Sequence, residues 1–593
     1  MSLLDSALGA QFLFVLAAVV AAVAGPPAYR NRLCGSLAAA LALSAALAGA
    51  SALGGSTTIW SLAHPLGAGL GPLAPLTLAP DRLGGFFLLV VGLVGAVASV
   101  FGIGYAHGAA ASRTAWTAYP LFLFGMQLVP AAGDVVTFLV GWEVMALAST
   151  VLVLTDQAQR ARVRSAGLWY AVMTHLSFAL LAAGFAVVAS EAGSTRFADI
   201  AGMPVGEGTA GVAFVLLTLG FVTKAGLVPV HVWLPRAHPE APSHVSAVMS
   251  AAMVKMGVYG VLLTVTRLLP DAGRWWGLAL LALALPSALY GILQASVASD
   301  LKRLLAYSTT ENVGLILTAV AVSMLTRHTG TADVSQVALV AALLLVASHA
   351  AFKTVLFLAA GAVLSATGER DLDRMGGLAG GMPVTAAAFG VAALGAAAVF
   401  GLGLFPGVSA SAAVAALGDG TVPRGPSGLS VVTPVGLGGL QLPTLGALLD
   451  PTSLLVLGAL LTVPVVAISW ALARTIPRRA VDLQWGCGGV RVSPRMQYTA
   501  TSFAEPLVRV FGDTLRPTQQ LHVERAKESR FVVVGASYRQ RVGDVIEDRV
   551  YRPAARWLGR VGDAARRVQN GSIHRYLAFS FAALVALLVV VVR

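Results

Sequence analysis

Residues 221–260 read FVTKAGLVPVHVWLPRAHPEAPSHVSAVMSAAMVKMGVYG and form two apolar segments joined by a proline-rich turn. Each apolar segment carries a single lysine, Lys224 in the first and Lys255 in the second. Gly226 and Pro229 interrupt the first segment, and residues of these two types break or kink helices. The stretch therefore predicts a discontinuous helix that is followed by a helix with a charge near its centre.

The composition of the whole chain is that of a membrane protein. Of its 593 residues 57% are hydrophobic and 11% are charged, whereas soluble domains carry about 25% charged residues. Crossing a bilayer takes about 20 apolar residues, and about 14 stretches reach that length. They are rich in Ala, Leu, Val and Gly without polar alternation, which disfavours a β-barrel. The predicted fold is an all-α polytopic membrane protein with spans near 9–29, 34–54, 83–106, 117–132, 134–154, 165–190, 209–230, 244–267, 275–298, 304–326, 335–365, 384–418, 451–473 and 576–592.

Basic residues in the loops predict the orientation of these spans. The loops on one side carry 11 Lys and Arg, and those on the other side carry 6. Residues 474–575, with 19 basic and 9 acidic side chains, fall on the more basic side after 13 crossings. We therefore predict a protein of the plasma (inner) membrane with its N-terminus outside and 474–575 in the cytoplasm. The net charge of +13 is then explained by topology and anionic lipid rather than by nucleic acid.

The basic segment 474–575 has two parts. The first contains Pro477, Pro494 and Pro506 and is predicted to be a loop. Residues 519–570 mix apolar and arginine residues, and we predict an amphipathic helix on the membrane surface. Contact with anionic lipid is the simpler interpretation, and docking against a partner subunit is the alternative.

Ionisable residues are rare in the predicted spans. A charge at the centre of a spanning helix costs about 2.5–3.5 kcal/mol on insertion scales, so each such residue is a functional candidate. Residues four apart share a helix face, as His349 and Lys353 do. The candidates for a proton relay are Glu143, His175, Lys224, Lys255, Glu311, His349 and Lys353.

The relay hypothesis rests on desolvation. Burial favours the neutral form of a lysine, and a nearby carboxylate favours the charged form again. If Glu143 pairs with Lys224, movement of the glutamate switches the lysine between holding and releasing a proton, which the later residues carry onward. The alternatives are that opposite charges only neutralise each other, that His175 is an ordinary core histidine, and that Glu311 faces cytoplasmic water.

The sequence offers little for a metal or cofactor. The histidines His231, His238 and His244 lie near Glu240, but intervening prolines disturb any regular ligand spacing. The two cysteines, Cys34 and Cys487, cannot supply the four ligands of an iron–sulfur cluster. Dinucleotide and Walker motifs are absent from the sequence. We therefore expect no cofactor and no metal in this chain.

Four stretches together resemble the antiporter-like membrane subunits of respiratory complex I, Mrp-type cation/proton antiporters and energy-converting hydrogenases. They are the opening stretch, LVGWEVMALAS at 139–149, LKRLLAYSTTENVGLI at 301–316 and HAAFKTVLFLAAGAVLSATGERDLDRMGGL at 349–378. Within this family the chain is most similar to the hydrogenase-4 component B and formate hydrogenlyase type. The stretches that carry this closer likeness are PRAHPEAPSHVSA at 235–247, YSTTENVG at 307–314, QWGCGGVRVSPRMQYTATSFAEPL at 484–507 and NGSIHRYL at 570–577.

The resemblance implies a proton-translocating subunit that works with other membrane subunits and a peripheral redox module. It implies that Glu143 and Lys224 form the pair of a first half-channel, that Lys255 bridges, and that His349 and Lys353 continue a central hydrophilic axis. It also implies two inverted repeats, in which Glu311 and His349 take the positions of Glu143 and His175. The corresponding divisions are 1–116, 117–267 for the first repeat, 275–473 for the second, 474–575 and 576–593.

One segment departs from the family pattern. Residues 384–418 carry no titratable side chain, although the family has a second broken helix with Lys or Glu there. We therefore predict that the second repeat is incomplete after residue 383. Two alternative functions follow: a Mrp-type antiporter or inorganic-carbon-uptake subunit, and a structural subunit with a degenerate channel.

Overall fold

The chain is described here from a computed structural model that divides into two units, Met1–Val510 and Phe511–Arg593. The residues that the structure describes are 2–62, 76–158, 160–201, 203–270, 273–327, 332–396, 433–435, 439–442, 447–449, 499–525 and 531–568.

The described residues of the first unit are mostly helical. Ten helices of its described part are long and apolar enough to cross a membrane, which agrees with the predicted all-α membrane fold. The predicted span 384–418 is described only as far as residue 396, and 451–473 and 576–592 lie outside the described residues, so the count of 14 stays a prediction. The helices are α1 (Leu3–Ala24), α2 (Arg30–Leu53), α3 (Arg82–Tyr105), α4 (Arg113–Ala131), α5 (Val135–Val153), α6 (Ala161–Ala192), α7 (Phe197–Ala201), α8 (Glu207–Ala225), α9 (Leu234–Glu240), α10 (Ser243–Val248), α11 (Val254–Leu263), α12 (Arg274–Ser296), α13 (Leu301–Thr326), α14 (Ala332–Thr367), α15 (Leu378–Gly381), α16 (Pro383–Ala396) and α17 (Ala500–Val510).

Short side chains cap several of these helices at their first turn. Ser2 accepts from the amide of Asp5 in α1, and Asp81 Oδ1 accepts from the Gly84 amide at 2.7 Å in α3. A side-chain oxygen at this position satisfies a backbone N–H that has no partner within the helix. Ser112, Asp134 and Asp300 cap α4, α5 and α13 in the same way.

Small residues let neighbouring helices approach closely. At Gly92 of α3 an added Cβ would lie 2.4 Å from the backbone nitrogen of Ala46 in α2. At Gly314 of α13 it would lie 2.6 Å from the backbone nitrogen of Ala288 in α12. Close backbone contact of this kind is how helices associate in lipid, where the hydrophobic effect between helices is weak.

The predicted helix break follows α8. Gly226 adopts φ +79°, which ends the helix at Ala225, and α9 begins at residue 234. The freed backbone is covered by protein: the Val228 amide donates to Ser287 Oγ at 2.9 Å, and Trp233 Nε1 donates to the Thr223 carbonyl at 2.8 Å. From Ser243 to Leu268 the chain then forms one continuous span that includes α10 and α11, and all its residues except the half-buried Thr266 and Arg267 are buried.

Five short strands lie among the described residues of the first unit. The strands β1 (Trp60–Leu62) and β2 (Leu76–Leu78) are antiparallel, with Ser61 opposite Thr77. The strands β3 (Thr433–Val435), β4 (Gly439–Leu442) and β5 (Ala447–Leu449) form an antiparallel sheet in that order.

The loop predicted for the first part of 474–575 is wrong at Pro506, which lies within helix α17. Two tertiary interactions hold this segment helical. The Thr501 amide donates to Asp373 Oδ1 at 2.9 Å, and Ala504 and Val508, four residues apart on one face, are buried.

The second unit shows that the predicted helix over 519–570 was wrong in its first half. Its described part begins with α18 (Gly512–Leu515), continues with an antiparallel hairpin of β6 (Thr518–Arg525) and β7 (Val533–Arg541), and closes with α19 (Arg552–Val568). Val533 and Val534 explain the difference, because consecutive β-branched residues favour strands. The prediction of a helix holds for α19.

Candidate functional site

Lys224 is buried at the end of α8, next to the helix break, with 1% of its surface exposed. Its Nζ donates to Tyr170 Oη at 3.0 Å and to Thr174 Oγ1 at 2.9 Å, both on α6. Tyr170 Oη lies 2.6 Å from Ser149 Oγ on α5. The lysine therefore belongs to a hydroxyl network that joins three helices.

Glu143 on α5 meets His175 on α6. Glu143 Oε1 lies 3.1 Å from His175 Nε2, whereas the hydrogen bonds of Lys224 go to Tyr170 and Thr174, so the hypothesised pairing of Glu143 with Lys224 stays a prediction. The geometry of α6 accounts for these separate contacts: Thr174 and His175 are consecutive and therefore point about 100° apart. Thr174 faces the lysine, whereas His175 turns toward the glutamate.

Lys255 and His349 are in direct contact in the interior, and both are 0% exposed. Lys255 Nζ also donates to the Ser250 carbonyl at 2.7 Å. That carbonyl lies in a π-helical turn, Met249–Met253. Such turns are frequent at functional sites.

Lys353 lies on α14 one turn beyond His349, as the spacing predicted. Its Nζ donates to the Leu305 carbonyl at 2.9 Å and contacts Ser308 Oγ, both on α13. Glu311, about one turn further along α13, is half-buried, and its carboxylate accepts from Asn312 Nδ2 at 3.3 Å. Of the seven predicted residues, the structure thus brings Lys255 into contact with His349 and Glu143 into contact with His175, and Lys353 lies one helical turn from His349.

The histidines near the break are surrounded by aromatic rings. His231 packs against Tyr290, and His244 packs against Trp116 and Tyr119. Among the residues that the structure describes, no group of three or more His, Cys, Asp or Glu side chains is placed to hold a metal.

Lys302 is not among the predicted site residues, because it lies just before the predicted span 304–326. In the structure its side chain is buried, and its Nζ donates to the Ala241 carbonyl at 2.5 Å. Nearby, Glu240 accepts ion pairs from Arg160 at 2.6 Å and from Arg370 at 3.4 Å. The sequence does indicate the position of Lys302: it follows the helix-capping Asp300 by two residues and therefore lies on the first turn of α13.

Comparison with known proteins identifies the family. The model of the family described as "NADH:quinone oxidoreductase/Mrp antiporter, TM" matches residues 132–411. An uncharacterized protein of Mycobacterium tuberculosis (strain CDC 1551 / Oshkosh) is 43% identical over 88% of this chain and 93% of its own length. Hydrogenase-4 component B of Escherichia coli (strain K12) is 40% identical, over 53% of this chain and 47% of its own length.

Solved structures agree on the fold. A chain of the membrane-bound sulfane sulfur reductase, an archaeal respiratory membrane complex, aligns with a TM-score of 0.66 at 21% identity and covers 99% of both chains. A chain of the Mrp complex from Dietzia sp. DQ12-45-1b aligns with a TM-score of 0.58 at 19% identity, covering 87% of this chain and 98% of that one. This protein therefore belongs to the NADH:quinone oxidoreductase/Mrp antiporter family of multi-span membrane proteins.

Proposed function

We propose that this chain translocates protons as a membrane subunit of a redox-driven complex of the complex I or group 4 hydrogenase type. The observation that carries the proposal is the buried contact of Lys255 with His349. Two basic groups in contact and shielded from water do not both hold a proton, because like charges in a low dielectric repel strongly. The pair therefore holds at most one excess proton and can accept or release it.

Polar groups of Ser250, Thr309 and Ser308 lie between this pair and Lys353. Ser250, whose carbonyl binds Lys255, also has its Oγ 2.7 Å from Thr309 Oγ1 on α13. Thr309 follows Ser308, which contacts Lys353. In the proposal, a proton that leaves Lys255 passes these polar groups on its way to Lys353, and water completes the path.

Glu143 and His175 supply a second acid–base pair on the side of the first repeat. Helix α6 carries His175 and also Tyr170 and Thr174, whose hydroxyl groups accept hydrogen bonds from Lys224. In the proposal a proton passes between this pair and Lys224 before it reaches Lys255. Glu311 on α13 lies near Lys353 and is the last group of the predicted relay.

The exposure of Glu143 and His175 supports the proposal that a neighbouring membrane subunit contacts this surface. The His175 side chain is 46% exposed and that of Glu143 is 26% exposed. Ionisable groups at membrane depth avoid lipid and face protein or water. We propose that another membrane subunit covers this side of α5 and α6 in a plasma-membrane complex with the N-terminus outside, and that the redox cofactors lie in a peripheral module.

The test uses the purified complex in sealed proteoliposomes, with proton uptake followed by quenching of a pH-sensitive acridine dye. The complex is driven by the reductant that its copurified redox subunits oxidise. Lys255→Ala and His349→Phe should each abolish uptake, whereas the exposed control Arg509→Gln should not. Pumping at the wild-type rate in both interior variants overturns the proposal.

An antiporter is the competing function, and the fold likeness to the Mrp complex favours testing it. In the same vesicles a sodium gradient is imposed without any reductant. Proton movement that depends on sodium, with no redox subunits copurifying, would replace the redox-driven proposal by a cation/proton antiporter.

A further inference from the structure

Helix α19 of the second unit separates its charged and apolar side chains cleanly. With 3.6 residues per turn, Arg552, Arg556, Arg560 and Arg566 fall within an arc of about 120°. Asp563 lies within the same arc. The four arginines are exposed, so this face presents a row of cations.

The opposite face of α19 is apolar and equally exposed. Trp557 and Leu558 each have 61% of their surface exposed, and Val561 has 45%. On the helical wheel Val561 lies about 160° from Asp563. Large apolar side chains on an exposed helix face indicate a surface that binds something else.

The charges favour an anionic occupant. Arg552 pairs with Asp548 at 3.0 Å, and Arg566 with Asp563 at 3.4 Å. Arg556 and Arg560, by contrast, form no ion pair with any residue that the structure describes. Unneutralised arginines beside an apolar face with Trp are the composition of helices that lie in the headgroup region of anionic bilayers.

The chain also keeps α19 close to a bilayer. The apolar run predicted to cross the membrane begins at residue 576, eight residues after the last residue of α19. Eight extended residues reach at most about 29 Å. With 576–592 in the membrane, as the sequence predicts, a bilayer surface is within reach of α19, which favours lipid over a protein partner that would have to be recruited.

We infer that α19 is a membrane-surface anchor that lies in the headgroup layer of anionic phospholipid. The apolar face with Trp557, Leu558 and Val561 contacts the acyl chains, and Arg556 and Arg560 bind lipid phosphates. This inference does not depend on the proposed proton translocation.

The test uses the full-length protein with both native cysteines replaced, Cys34→Ala and Cys487→Ala. A single cysteine is introduced at Val561→Cys or, as the matched control, at Asp563→Cys on the opposite face, and is labelled with an environment-sensitive nitrobenzoxadiazole dye. The protein is placed in nanodiscs of phosphatidylcholine alone or mixed with phosphatidylglycerol. Lipids brominated in the acyl chain serve as contact quenchers.

We expect a blue-shifted emission and several-fold stronger bromolipid quenching at Val561→Cys than at Asp563→Cys in nanodiscs with phosphatidylglycerol. Arg556→Gln with Arg560→Gln should remove most of the difference, whereas the two Arg→Lys substitutions, which keep the charge, should preserve it. Equal quenching at both positions overturns the inference. A shielded Val561→Cys label that bromolipids do not quench also overturns it, because a protein then covers this face.

Discussion

His175 Nδ1 lies 2.7 Å from the Ala171 carbonyl, while its Nε2 lies 3.1 Å from Glu143 Oε1. A carbonyl only accepts, so Nδ1 carries a proton and donates it. A carboxylate oxygen next to Nε2 then needs a second proton, either on the ring or on the carboxyl group. One hydrogen bond between these two side chains, with the ring held by the Ala171 carbonyl, is the geometry that the proposed acid–base role requires.

Removing this shared proton should slow pumping. We expect His175→Phe or Glu143→Gln to lower the initial rate of proton uptake in proteoliposomes by tenfold or more, because a positioned proton-transfer group contributes on the order of 100-fold. The double variant should be no slower than the slower single variant, since both lose the same pair. Leu176→Ala, at an exposed apolar neighbour, is the control. Fully additive losses would show that the two residues act separately.

A second prediction separates transport from packing at Lys255. Lys255→Met keeps the length of the side chain but removes the buried amine. Replacing buried ionisable groups by apolar residues is often neutral or stabilising, so the melting temperature of the complex should stay the same or rise. Proton uptake should be lost all the same. A complex that falls apart on this substitution would assign Lys255 a structural role instead.

Glu240 should be a stability determinant at the loop ends of the first unit. Its side chain is 11% exposed and faces Arg160 and Arg370. Glu240→Gln leaves two guanidinium groups without their carboxylate, and loss of one partner of such a pair costs about 1–3 kcal/mol. The readout is thermal unfolding of the detergent-solubilised protein. Coupling between Glu240→Gln and Arg160→Gln in a double-mutant cycle should be non-zero, and strict additivity would contradict the prediction.

The sequence predicted the site best where the signal is local. Gly226 and Pro229 carry their backbone restrictions with them, so the break was predictable. Lys255, His349 and Lys353 stand out because charges are rare in apolar runs. Their burial therefore followed from composition alone.

Partnerships between helices were harder to predict. A helix that is apolar on all sides has no polar face to indicate how it is rotated in the bundle. The sequence therefore could not predict that α6 turns His175 toward Glu143. Lys302 was missed because the loop boundary was drawn one turn too late. The β6–β7 hairpin was missed because its arginines obscured the β-branched pattern.

The two acceptors of Lys224 lead to the last prediction. Tyr170 and Thr174 hold its Nζ at 3.0 and 2.9 Å. Tyr170→Phe and Thr174→Val should each lower proton uptake partly, because either remaining acceptor still positions the amine. The two together should reach the low rate of Lys224→Ala. Tyr119→Phe is the matched control: this buried tyrosine also bonds a serine, Ser99, at 3.1 Å, but it does not contact Lys224. If Tyr119→Phe slows uptake as much as Tyr170→Phe does, loss of a buried hydroxyl in itself, and not the position of the lysine, sets the rate.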